Sequence, residues 1–282
     1  MKDNYRQISL SRFCRLLGVT RQAYYQHFWQ EEFIGIEQGL ILQEVQRIRS
    51  RHRHMGGRKL YELLQPYLLQ HQIKMGRDAL FDLLQINHLL VRRRKRRVYT
   101  TQSFHWLRKY PNLIKDLIPS QPNQLWVSDI TYWKIASGYA YISLITDAFS
   151  HKIVGHHVAE TLETVETIEA LKMALKNLSE KHYHLRHHSD RGIQYCSHEY
   201  VKLLEDHNIK ISMTENGDPR ENAIAERVNG ILKEEYLYDY SVQNISQAKQ
   251  VLNFVIDLYN EERPHMSCDY KTPATVHINE VH

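Results

Sequence analysis

The stretch L-W-V-S-D-I-T-Y-W, Leu125 to Trp133, alternates apolar and polar residues as a half-buried strand does, with Asp129 at its centre. Two more carboxylates lie in short contexts of the same kind. Asp190 ends the run L-R-H-H-S-D and is followed by Arg191-Gly192, which places it at a strand-to-loop junction. Glu226 lies in N-A-I-A-E-R-V-N-G-I-L-K-E-E, which reads as a helix. Acids so far apart in sequence work together only if the fold converges them. Once converged, they raise one another's pKa unless cations intervene.

Around Asp129 the pattern predicts a three-stranded meander: Trp126 to Trp133, Tyr139 to Asp147 after a Ser137-Gly138 turn, and Lys152 to Val158. Thr164 to Leu178 carries a helical apolar stripe. Tyr183 to Ser189 reads as a fourth strand, Glu199 to His207 as a helix and Ile209 to Met213 as a fifth strand. A breaker-rich loop, T-E-N-G-D-P-R, precedes two closing helices, Glu221 to Leu237 and Ser246 to Tyr259. That order is an α/β layered domain. On the Glu226 helix, Asn222 and Lys233 share the glutamate's face, so a metal ligand would stand between groups that grip DNA. A merely solvated helix face carries such residues too.

Upstream the chain changes character. Residues 1–120 hold 22 Lys and Arg against 9 Asp and Glu, whereas residues 121–282 hold 15 against 23, within a net charge of +5. A basic arm on an acidic body suits a protein that binds a polyanion with one part and collects cations with another. Ser9 or Ser11 caps a first short helix, Gly18 ends it, and Thr20 caps a second carrying Arg21, Gln22, Tyr24 and Tyr25. This pattern fits a helix-turn-helix whose second helix contacts DNA, or an ordinary helical hairpin. Further helices are expected over residues 36–49, over 59–70 with an interruption at Pro66, and over 77–85. They lead into six consecutive cations, Arg92, Arg93, Arg94, Lys95, Arg96 and Arg97, a phosphate-binding tract or a charged linker. The domain reading is therefore a helix-turn-helix over 1–35, a second DNA-binding module over 36–98, a proline-marked linker over 99–122 and a catalytic domain over 123–282.

Other chemistries find little support. No run of eighteen apolar residues or signal-peptide core occurs, so a cytoplasmic, nucleoid-associated protein with no membrane partner is expected. Cys14, Cys196 and Cys268 are too scattered for a cysteine zinc knuckle. His182, His184, His187 and His188 alternate along a strand and cannot all reach one ion. No G-x-S-x-G elbow is present.

W-V-S-D-I-T-Y, H-H-S-D-R-G-I-Q-Y and P-R-E-N-A-I-A-E, with the later lysine, closely resemble the integrase core of insertion-sequence transposases of the IS-three family, OrfB type. C-R-L-L-G-V-T-R-Q-A-Y-Y, the basic tract and Y-N-E-E-R-P-H extend the resemblance over nearly the whole chain. It implies a ribonuclease H-like α/β fold with N-terminal helical modules. It also implies Asp129, Asp190 and Glu226 as metal-holding catalytic acids, Mg2+ or Mn2+ with two ions per site, and cleavage with strand transfer at element ends. A homo-oligomer on DNA, with an upstream helix-turn-helix and leucine-zipper product as candidate partner, belongs to the same expectation. Arg227-Val228-Asn229 after the glutamate departs from the family pattern. The rival readings are a sequence-specific DNA-binding regulator, which leaves the acids unexplained, and a nuclease of the same fold that cuts without joining.

Overall fold

The computed structural model describes residues 9–91, 106–178, 184–215 and 219–278. The basic tract Arg92–Arg97 lies outside them. The chain divides into two compact units, one of residues 1–50 and 63–90 and the other of residues 51–62 and 91–282.

In the first unit Ser9 caps helix α1, Leu10–Leu16, by accepting from the Arg12 amide. Gly18, at φ +68°, turns the chain out of it. Thr20 accepts from the Ala23 amide and starts helix α2, Arg21–Arg51. The expected break between a recognition helix and a separate helix at 36–49 is absent. Gly35 and Gly39 stay helical, and nothing between them breaks the backbone, so α2 runs 31 residues. Helix α3, Gly57–Gln70, likewise continues through Pro66. Proline's fixed φ suits a helix and its cost is one lost hydrogen bond, from the Glu62 carbonyl. Helix α4 follows at Arg77–Ile86. Ile41, Val45, Ile48, Leu64, Leu68, Leu80, Leu83 and Leu84 are buried at i, i+3, i+4 spacings along these helices.

The second unit is built on a mixed sheet in the order β3-β2-β1-β4-β5. Its strands are β1 Leu125–Ile135, β2 Gly138–Asp147, β3 Ile153–Ala159, β4 Arg186–Ser189 and β5 Lys210–Met213. The first three pair antiparallel as the meander predicts, and β4 adds parallel to β1. Helices α5, Thr164–Lys176, and α6, His198–Asp206, cover one face over Trp126, Ile145, Leu171, Tyr200 and Leu204. Helices α7, Ala223–Glu235, and α8, Ile245–Asp257, cover the other over Trp133, Ile142, Val228, Leu232 and Leu252. A π-helical turn, Leu258–Glu262, and helix α9, Pro273–Ile278, follow. Gly155 is obligatory in β3: a Cβ there would stand 2.2 Å from the Ala170 carbonyl oxygen of α5. This layering is the ribonuclease H-like arrangement, and it leaves the middle of β1 flanked by a neighbouring strand and by α7.

Candidate active site

The parallel register brings the first two acids together. Leu125, Trp126 and Val127 stand opposite Arg186, His187 and His188. Two further residues along each strand reach Asp129 and Asp190, level with one another at the carboxyl end of β4. Side-chain alternation then sends Asp129 and Thr131 to the α7 face of β1, and Ser128 to the opposite face. Ser128 there bonds the His187 ring at 2.7 Å, and the Tyr200 hydroxyl bonds the same nitrogen at 3.0 Å.

Helix α7 brings the third acid. Asn222 at its N-cap is buried and donates its amide to the Ser128 carbonyl at 2.9 Å, tying the helix start to β1 one residue before Asp129. Glu226, in the first turn, is exposed. Asn229 donates to Asp129 Oδ2 at 2.7 Å, and Lys233 Nζ donates to Thr131 Oγ1 at 2.8 Å. Residues 222, 226, 229 and 233 recur at helical spacing, so one stripe of α7 lies along β1. Asn229 escaped the sequence reading, although its position three after Glu226 marks the same face.

The electrostatics of the cluster are unusual. Asp129 is pushed up to about 7, first by burial, then by Asp190 and, more weakly, by Glu226, against the lowering hydrogen bond from Asn229. Both other carboxylates therefore act on Asp129, which acts in turn on the half-buried Lys233. Burial depresses that ammonium, and Asp129 partly restores it. Asp190 is held in its turn by accepting from the Gly192 amide at 2.9 Å. A Cβ at residue 192 would stand 2.9 Å from the same carboxylate oxygen, so a larger residue where D-R-G stands would push the Asp190 side chain aside. Such a set of hard oxygen donors, mutually repelling and open to solvent at Glu226, fits a divalent cation of the magnesium kind.

The other residues singled out in the sequence lie elsewhere. Thr20 caps α2; Arg21, Gln22 and Tyr25 are exposed, with Tyr25 stacked on Trp29 at 5.9 Å, and Tyr24 packs edge-on against Phe13. His187 and His188 are buried and neutral, held down to about 3 and about 4 by burial, and serve as hydrogen-bond partners in the core. No described helix is long and apolar enough to cross a membrane.

Two models, both described as an integrase core domain, match residues 119–219 and 207–273. The insertion element IS600 uncharacterized 31 kDa protein of Shigella sonnei is 34% identical over 93% of this chain and 96% of its own length. The transposase for insertion sequence element IS629 of Shigella sonnei is 30% identical, over 95% of this chain and 91% of its own. In a simian T-cell lymphotropic virus intasome, one chain shares the fold with a TM-score of 0.51 at 20% identity, covering 83% of this chain and 74% of that one. With relatives matched over nearly their full length and an integrase core spanning the sheet and α7, the chain belongs to the insertion-sequence transposases and is a DNA transposase.

Proposed function

We propose that this transposase cuts and joins phosphodiesters at the ends of its insertion sequence, with Asp129, Asp190 and Glu226 as the acids that hold two Mg2+ or Mn2+ ions. One observation carries the reading. Asp129 is loaded by burial and by both other acids at once, an arrangement that is costly for a fold unless cations neutralise it in use. Bound ions of this kind supply the positive charge that activates an attacking oxygen and steadies a leaving one in an in-line displacement.

The chain's own groups then have separable tasks. Asn229 fixes one oxygen of Asp129, and the Gly192 amide holds one oxygen of Asp190. Asn222 holds the first turn of α7, and with it Glu226, against β1. Lys233, held beside Asp129 on Thr131, offers an ammonium to a backbone phosphate oxygen, as the cations of residues 92–97 do along the flanking duplex. Thr20, Arg21, Gln22, Tyr24 and Tyr25 are the base-reading candidates at the start of α2. Joining requires two ends to be held together, so a homo-oligomer assembled on DNA is part of the proposal.

Pre-cut element ends, target DNA and Mg2+ test it. Joined product is expected with the wild type and none with Glu226→Gln, while both bind the ends equally. Undiminished joining by Glu226→Gln would sink the assignment of the acids. Cutting without joining by the wild type would favour the nuclease reading, and a chain that binds DNA but never cuts would favour the regulator.

A further inference from the structure

A second group of ligating side chains lies away from the acids and shares no residue with them. His151, His265 and Cys268 each offer one donor atom, and these atoms all fall within 4.8 Å of one another. We propose that His151, His265 and Cys268 bind one thiophilic metal ion, of the zinc class, which staples the loop between β2 and β3 to the segment between the π-helical turn and α9.

The three residues are set in rigid backbone. His151 sits at φ +60°, its amide bonded to the Asp147 carbonyl and its own carbonyl accepting from the Tyr259 hydroxyl at 3.0 Å. The His265 amide bonds the Lys271 carbonyl, and its carbonyl accepts from the Cys268 and Tyr270 amides. Both His265 and Cys268 are buried, and His265 Nε2 has no hydrogen-bond partner, an expensive omission for a buried ring nitrogen. The Ser267 hydroxyl bridges the other ring nitrogen, His265 Nδ1, at 2.8 Å and His151 Nε2 at 3.0 Å, so an oxygen already joins the two imidazoles. An ion bound by both rings takes the place of this hydroxyl on at least one of them, and a water completes a four-ligand shell.

Two imidazoles and a thiol select against Mg2+ and for zinc-class ions, which take nitrogen and sulfur. Both rings are kept neutral by burial and are therefore ready ligands. The Cys268 thiol is held protonated by burial, so binding displaces its proton to solvent and forms the metal–thiolate bond. That thiolate also lowers the ion's net charge. This matters because Arg263, Lys59 and Arg227 act on His265, whereas Asp147 is the carboxylate that favours charge at His151. The rings stack 4.5 Å apart with planes 10° from parallel, so one of them must tilt for both to reach a single ion.

The test is a Co2+ titration of the full chain stripped by chelator, reading thiolate-to-cobalt charge-transfer absorption. The expected result is one equivalent of ion, displaced by Zn2+ and not by Mg2+, retained in Asp129→Asn and lost in Cys268→Ser. His151→Asn, which tolerates the positive φ, should weaken binding by roughly 10²-fold or more, since even outer-shell changes cost 10–100-fold; it carries the comparison if Cys268→Ser fails to fold. Absence of the band in a folded wild-type chain overturns the proposal. So does a band that survives in both variants or yields to Mg2+.

Discussion

Asp129 and Glu235 are carboxylates at the two ends of the same interface, one on β1 beneath α7 and the other on the last turn of α7, and the fold treats them oppositely. Asp129 is pushed up to about 7 by burial and two further acids. Glu235 is brought down to about 2, although burial is the largest influence and pulls the other way. Arg263 grips Glu235 through two bonds of 2.8 Å, and Lys59 adds a third at 2.6 Å. One end of the interface is therefore completed by the chain itself, and the other is left short of positive charge. The compensated end anchors α7; the uncompensated end is where the proposed function puts an outside cation and a nucleic-acid backbone.

Breaking the uncompensated end should cost chemistry and leave the fold intact. Asp129→Asn is expected to lower joining at least about 10²–10³-fold, the loss typical of removing one preorganised charge-stabilising group. Without metal the variant should melt no lower than the wild type, because a like-charge contact is gone. A lower melting point together with unchanged joining would reverse the comparison.

Breaking the compensated end should do the opposite. Glu235→Gln leaves Arg263 and Lys59 buried without their carboxylate, and denaturant titration should show a loss of about 3–5 kcal/mol. A triple change of Lys59, Glu235 and Arg263 to apolar residues of similar volume should recover much of it. If Glu235→Gln unfolds no more easily than the wild type, the anchor has been misread.

The two ends also pull stability in opposite directions with pH. Asp129 in the fold lies above its ordinary 3.8, so the folded chain keeps a proton the unfolded one has shed; its contribution falls as pH rises from about 4 to about 7. Glu235 lies below its ordinary 4.5; its contribution is complete above that value and is lost as pH falls toward 2. In chelator, wild type minus Asp129→Asn should therefore show a stability difference that grows between pH 5 and pH 8. The half-open position of Asp129 limits it to about 2 kcal/mol. Saturating Mg2+ should erase it.

The smallest effect expected is at Asn229. Asn229→Ala removes a hydrogen bond to a charged group, so joining should fall about tenfold and the Mg2+ concentration for half-maximal rate should rise. Its pH–rate profile should shift to higher pH, because the bond lowers Asp129. An unshifted profile would make Asn229 a packing residue only.

How far the site was legible varies by residue. Alternation around Asp129, the S-D-R-G junction and the helical spacing after Asn222 are local patterns, and each element formed where its pattern lies. Asn222 was legible as a member of the right helix face but not as a buried clamp, because burial depends on how closely β1 approaches. The interruption expected at Pro66 and the separate helix expected over 36–49 failed for a related reason: propensity penalties of about one to three kcal/mol are weak against the tertiary burial of Ile41, Val45, Ile48, Leu64 and Leu68 in the same helices.

The amino-acid order alone determined most strand and helix types and the charge division between the two halves, and it singled out the three acids, because those readings rest on period, capping and side-chain chemistry within short windows. Only the tertiary structure decided that β4 joins β1 parallel and in register, that Asn229 rather than solvent meets Asp129, and that His151 comes beside His265 and Cys268. Those outcomes depend on contacts between residues about 60 to more than 100 positions apart, and no local pattern carries the free energy that selects them.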